Sequence, residues 1–282
     1  MQVRRVTMTP AYAEELLALN THNRNMSESY RDTLADDIVR GLYKENPDPI
    51  KVSTAPRSLL DGQHRLSAVI KADKTVTMWI AEDCPHEIAP VLDNGRRRTA
   101  ADILNMRGHT SGVGLATAAR MAINYLSGYH FGRQVSTARI DEFISQNPDL
   151  ASWFSYADKA RTVFAPGPLG AVAFLATRDP LNIPRMSEFL DGVISGANLG
   201  EGDGRLVLRE SARRARDKQI GNGAPPTAWS MSTATKCWNA FVEGRTITQV
   251  RYSKSRRGAF AVQEVIGAPD RARPLAKKKD AE

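Results

Sequence analysis

Cysteine is nearly absent: the chain holds only Cys84 and Cys237, far apart and in no paired spacing. That excludes a disulfide framework and a cysteine-based zinc site, and it fits a reducing compartment. Long apolar runs are missing too. Nothing approaches the ~20 apolar residues that span a bilayer, and Met1 to Pro10 has two arginines but no apolar signal core. A cytosolic protein with no membrane partner is therefore expected. No Gly-x-x-x-x-Gly-Lys-Ser/Thr loop occurs, which excludes a Walker-type NTPase. No dense acidic cluster of the kind a metal-dependent nuclease uses is present, and no metal-ligand set is read from the chain.

Acidic residues are the scarcer charge, 31 Asp or Glu against 39 Lys or Arg for a net +8. An excess of cations points to a polyanionic partner. From Arg245 to Glu282, however, there are ten Lys or Arg and four Asp or Glu. The rest of the chain is nearly balanced, so its whole surface is not a nucleic-acid footprint. With 41% apolar and 25% charged residues over 282 positions, the composition is that of a globular protein of one large or two ordinary domains.

The stretch with most chemical content is Asp61-Gly62-Gln63-His64-Arg65-Leu66-Ser67-Ala68, between Leu59-Leu60 and Val69-Ile70. Asp-Gly after an extended run reads as a tight turn, because glycine takes the positive φ that other residues avoid. Leu66, Val69 and Ile70 then fall on one helical face. The spacing predicts strand, glycine turn and helix, with His64 and Arg65 in the first helical turn. That end of a helix has unbonded N–H groups and a positive dipole, so cations placed there fit an anionic ligand, phosphate above all. Arg65 as a solvated surface charge and His64 as a hydrogen-bonded neighbour are the plainer reading of the same residues.

Gly62-Gln63-His64-Arg65-Leu66-Ser67-Ala68 resembles the Gly-x-x-Arg-x-x-Ala box of the ParB/sulfiredoxin superfamily, and Asp61 to Arg65 is similar to its Asp-Gly-x-His-Arg variant. The resemblance implies nucleotide phosphates held by Gly62, Gln63, His64 and Arg65. Sulfiredoxins carry a catalytic cysteine directly after the glycine, where this chain has Gln63, so sulfinic acid reduction is not expected. The order of elements over residues 15 to 100 is also similar to the ParB N-terminal domain. In that family a loop ahead of the first long helix closes over the nucleotide, which implicates Asn23 and Arg24. Either residue equally suits a polar turn, Asn23 as an Asx-turn former. Asp93-Asn94-Gly95 followed by Arg96, Arg97 and Arg98 reads as a basic turn needing an oxyanion or carboxylate partner, and Arg97 is the nucleotide candidate within it.

Beyond residue 104 the pattern becomes helical, similar in layout to two-part phage and actinobacterial proteins. The expected architecture is α+β: a ParB/sulfiredoxin-like mixed domain over 1–104, an all-α domain over 105–245, and a basic, partly disordered tail over 246–282. On the helix Arg205 to Lys218, Arg209, Arg213 and Arg216 share a face and make a basic stripe, either a solvated surface or a contact for a DNA backbone.

Three functions follow. The first is an NTP-dependent phosphotransferase or NTPase, with a nucleoside triphosphate and Mg²⁺ as cofactor. In it Asp61, His64 and Glu28 are the catalytic candidates, since phosphoryl transfer needs charge neutralisation and a carboxylate to orient the attacking group. The second is a non-catalytic ParB-like DNA-binding or regulatory protein. The third is a ParB-like nuclease.

Overall fold

A computed structural model describes residues 1–20, 26–85, 87, 99–129, 133–218, 227–250 and 263–272. The protein is α+β and mostly helical, with eleven α-helices and one four-stranded mixed sheet among the described residues. The chain divides into two compact units, one of Met1–Arg98 with Ser136–Arg139, the other of Thr99–Val135 and Ile140–Glu282.

The sheet of the first unit is built from alternating segments. Strand β1 (Gln2–Met8) pairs antiparallel with β4 (Val76–Cys84), Gln2 opposite Glu82 and Met8 opposite Val76. The other edge of β4 takes β2 (Ile50–Ser53) in parallel, and β2 takes β3 (Leu59–Asp61) antiparallel, for the order β1-β4-β2-β3. Helices α1 (Pro10–Leu17), α2 (Glu28–Val39) and α3 (Gln63–Ala72) supply the rest. Thr9 and Ser27 cap α1 and α2 by accepting from Tyr12 and Tyr30 N–H groups, as serine and threonine do at N-caps. Helix α3 packs against both α1 and α2. Leu66 and Val69 on α3 are fully buried with Ile50 and Ile80 of the sheet, so apolar burial fixes the direction in which α3 leaves β3.

The second unit runs α4 (Ala100–Met106), α5 (Gly112–Leu126), α6 (Thr137–Gln146), α7 (Asp149–Asp158), α8 (Pro166–Ala176), a single 3-10 turn (Pro180–Asn182), α9 (Ile183–Ser195), α10 (Gly204–Lys218) and α11 (Thr227–Val242). Every residue of α8 from Gly167 to Ala176 is buried, which is what an all-round apolar helix requires, and α5, α7 and α11 surround it. Thr99 opens α4 with a reciprocal capping box to Asp102.

One expectation is corrected here. Residues 263–272, assigned from composition to the basic tail, are built into the second unit. Val265 is buried and its N–H donates to the Tyr125 hydroxyl at 2.9 Å. The Trp238 indole donates to the Ile266 carbonyl at 3.0 Å, and the Arg271 guanidinium donates to the Tyr125 carbonyl at 3.2 Å. The physical reason is tertiary: Val265 and Ile266, an apolar pair inside a charged stretch, meet Tyr125 and Trp238 from distant helices.

A buried carboxyl makes the first unit sensitive to pH. Asp37 on α2 is almost wholly buried and accepts from Ser136 Oγ at 2.6 Å, while Arg139 pairs with Asp36 at 2.8 Å. Burial pushes the Asp37 carboxyl above its ordinary 3.8, against the pull of the Ser136 hydrogen bond. A carboxyl with a raised folded pKa binds more protons folded than unfolded. Stability therefore falls as pH rises from the ordinary value through the folded one. Asp37→Asn keeps an acceptor for Ser136, and it is expected to flatten that slope in urea unfolding followed from about pH 4 to about pH 7.

Candidate functional site

Strand β3 ends at Asp61, and the chain swings into α3 at Gly62, whose φ is 111°. A Cβ there would come within 2.4 Å of Ile50 Cδ1, so both the left-handed backbone and the close approach exclude other residues. Gly62 offers no side-chain cap. The first amides of an α-helix have no partner inside the helix, so an acceptor for those of α3 has to come from outside it.

The three side chains of the first turn reach three different places. Gln63 Oε1 accepts from Asn20 Nδ2 at 3.0 Å. His64 Nε2 accepts the N–H of Ser27 at 2.9 Å, and the Tyr30 ring meets the imidazole edge-on with centroids 5.2 Å apart. Arg65 donates to the Asp48 carbonyl, to the Pro49 carbonyl at 3.1 Å and to Asp61 Oδ2 at 3.4 Å. The expected convergence of His64 and Arg65 on one anion is thereby corrected. Successive residues of a helix with 3.6 residues per turn point about 100° apart, and each of these two has taken partners within the chain. Because His64 Nε2 accepts, the hydrogen-bond pattern assigns the ring proton to Nδ1.

Asp61 sits in a balanced cluster of two carboxylates and two cations. Lys51 lies 2.9 Å from Asp48 and 3.1 Å from Asp61; Arg65 lies 3.5 Å from Asp48 and 3.4 Å from Asp61. Burial works against the Lys51 ammonium, but the hydrogen bonds from Asp48 and Asp61 outweigh it and hold its pKa above the ordinary 10.5. Asp48 and Lys51 were not singled out from sequence. The signal for them is the cross-strand pairing of Lys51 with Asp61, which emerges only once β2 and β3 are in register.

The remaining candidates are dispersed. Glu28 is exposed in the first turn of α2, beside Ser27, and no bond among the described residues joins it to Asp61. Asn23, Arg24 and Arg97 lie outside the described residues. Asn20 is bonded to Gln63 and Ser27 to His64.

In the second unit, Arg209 donates to the carbonyls of Val193 and Ile194, the latter at 3.2 Å, and so closes the C-terminal end of α9. Arg216 donates to the Thr162 carbonyl at 2.6 Å. Arg213 is left exposed, 3.8 Å from Asp217. Two of the three arginines of the expected stripe are thus tied to backbone carbonyls, because free acceptors at the ends of neighbouring segments lie within their reach.

Comparison with protein-family models, with curated proteins and with solved structures finds no match to the chain. Among the described residues no helix is long and apolar enough to cross a membrane.

Gly62→Ala is expected to destabilise the protein by about 3 kcal/mol, from left-handed strain and the collision with Ile50 together. Gly200→Ala, at a position with nothing within 4 Å, is the near-neutral control. Urea unfolding of both variants measures the difference.

Proposed function

We propose that the first unit binds the phosphates of a nucleoside triphosphate at the first turn of α3, as the resemblance to the ParB/sulfiredoxin superfamily implies. The reading adds that it serves an NTP-dependent phosphotransfer or NTP hydrolysis. The observation that carries the reading is the Gly62 turn: it delivers a helix start with no side-chain cap, at the edge of a sheet, with polar groups of Asn20 and Ser27 held around it. Backbone amides at such a start are natural partners for phosphate oxygens.

Arg65 and Lys51 supply the charge. In the ligand-free arrangement each is neutralised by Asp48 and Asp61, so an incoming phosphate exchanges with a carboxylate rather than meeting a bare cation. Asp61 is then released to orient the attacking hydroxyl or water, the role a carboxylate takes in phosphoryl transfer. His64, accepting from the Ser27 N–H, acts as a positioning residue on this reading.

Among the described residues no group of three or more His, Cys, Asp or Glu could hold a metal ion alone. Mg²⁺ in nucleotide sites needs only one or two carboxylates besides the phosphates, and Asp48, in the same cluster, fits that requirement. When bound, Mg²⁺ would neutralise phosphate charge. The DNA-backbone reading is weaker, because Arg209 and Arg216 already serve carbonyls.

The test is a thermal-shift panel of ATP, CTP, GTP and UTP with Mg²⁺ on wild type, Arg65→Ala and Gln63→Glu. One nucleotide is expected to raise Tm, corresponding to about 2.7 kcal/mol at a hundredfold excess over Kd. Gln63→Glu keeps the acceptor for Asn20 and suits the helix dipole. It should shrink the nucleotide shift while lowering the unliganded Tm modestly, since the new carboxylate is buried, and Arg65→Ala should lower both. No shift of the wild type by any of the four nucleotides overturns the reading.

A further inference from the structure

Between the α4–α5 connection and α7, the second unit carries a cleft of about 600 Å³. That is within the range of roughly 300–1,000 Å³ typical of small-molecule sites. One wall is apolar, with half-buried Ala151 over the almost wholly buried Leu115 and Phe154. Phe154 is held in place by two glycines: a Cβ on Gly114 would lie 2.6 Å from its Cζ, and one on Gly170 would lie 3.0 Å from its Cα. The other side is polar, with His109, Ser152, Ser155 and Lys159. None of these four side chains has a hydrogen-bond or ion-pair partner among the described residues. This contrasts with Lys51, Arg65, Arg209 and Arg216, all taken up by acceptors of the chain.

The charge balance of the cleft is simple. Asp158 is neutralised by Arg161 at 3.1 Å. The Tyr156 hydroxyl donates to Asp191 at 2.7 Å, and that bond, with burial, pushes the phenol up to about 12, so it stays neutral in the physiological range. Lys159 lies over the Tyr156 ring, 4.8 Å from its centroid, which orients the ammonium without neutralising it. One uncompensated positive charge thus lines the cleft, with two serine hydroxyls as donors.

We propose that this cleft binds a small carboxylic acid as its monoanion, with the carboxylate on Lys159 and the Ser152 and Ser155 hydroxyls and the apolar body against Leu115, Ala151 and Phe154. A single unbalanced cation matches a monoanion. A phosphate dianion would call for a second cation. The inference is independent of the nucleotide reading, which concerns the other unit.

Isothermal titration of the full chain with benzoate, phenyl phosphate and benzyl alcohol tests it. Benzoate is expected to bind saturably at one site. Lys159→Gln, at an exposed position, should weaken it about tenfold or more. Ser152→Trp, also exposed, should abolish binding by filling the cleft, and circular dichroism checks that both variants fold. Gln63→Glu should leave benzoate binding untouched, which separates failure here from failure of the nucleotide site. Absence of benzoate binding up to about 10 mM, tighter binding of phenyl phosphate, equal binding of benzyl alcohol, or binding undiminished in both variants overturns the proposal.

Discussion

Ile50 and the backbone of Gly62 occupy adjoining space so tightly that a single methyl group would not fit between them. That contact joins the sheet to α3. It lets β3 end immediately beside β2 and sends the next helix across the sheet with Leu66 and Val69 facing inward. The site depends on the same constraint. The close approach that requires glycine also leaves the start of α3 without a capping side chain, so a packing need and an uncapped helix start arise from one residue.

A second theme is how the chain uses its excess of cations. Arg65 forks over the carbonyls of Asp48 and Pro49, Arg209 closes the end of α9, and Arg216 holds the Thr162 carbonyl. Guanidinium groups offer several donors in a fixed plane and satisfy the bare carbonyls left at segment ends. Net charge alone therefore overstates how much positive surface is available to a polyanion. Lys159 differs because it sits over a neutral aromatic ring, and a ring orients a cation without cancelling its charge.

Much of the secondary structure was legible in the sequence, and for identifiable reasons. Strand β2 spans Ile50 to Ser53 as the alternation after the Pro47-Asp48-Pro49 break indicates, and α5 runs from Gly112 to Leu126 as its apolar face requires. Thr9, Ser27 and Thr99 act as caps in the positions that their side chains favour. The turn at Gly62 was legible too, because Asp-Gly between apolar runs has few other uses. What periodicity could not supply was partnership. Whether His64 donates or accepts depends on Ser27, 37 positions earlier. The neutralisation of Asp61 depends on a strand register, and the retention of Val265 on an aromatic hydroxyl 140 residues away. Such contacts are products of tertiary folding and leave no local signature.

The short segment around Val265 bears on how this protein would tolerate shortening. A proteolytic cut or stop codon just after Arg245 looks harmless by composition, since it removes mainly charge. It would in fact take away the carbonyl that receives the Trp238 indole proton, the amide that binds the Tyr125 hydroxyl, and both Asn239 contacts, at Glu264 and Ile266. The apolar surface of α11 would be exposed at the same stroke, making the shortened chain prone to aggregate for a reason unrelated to its lost lysines and arginines.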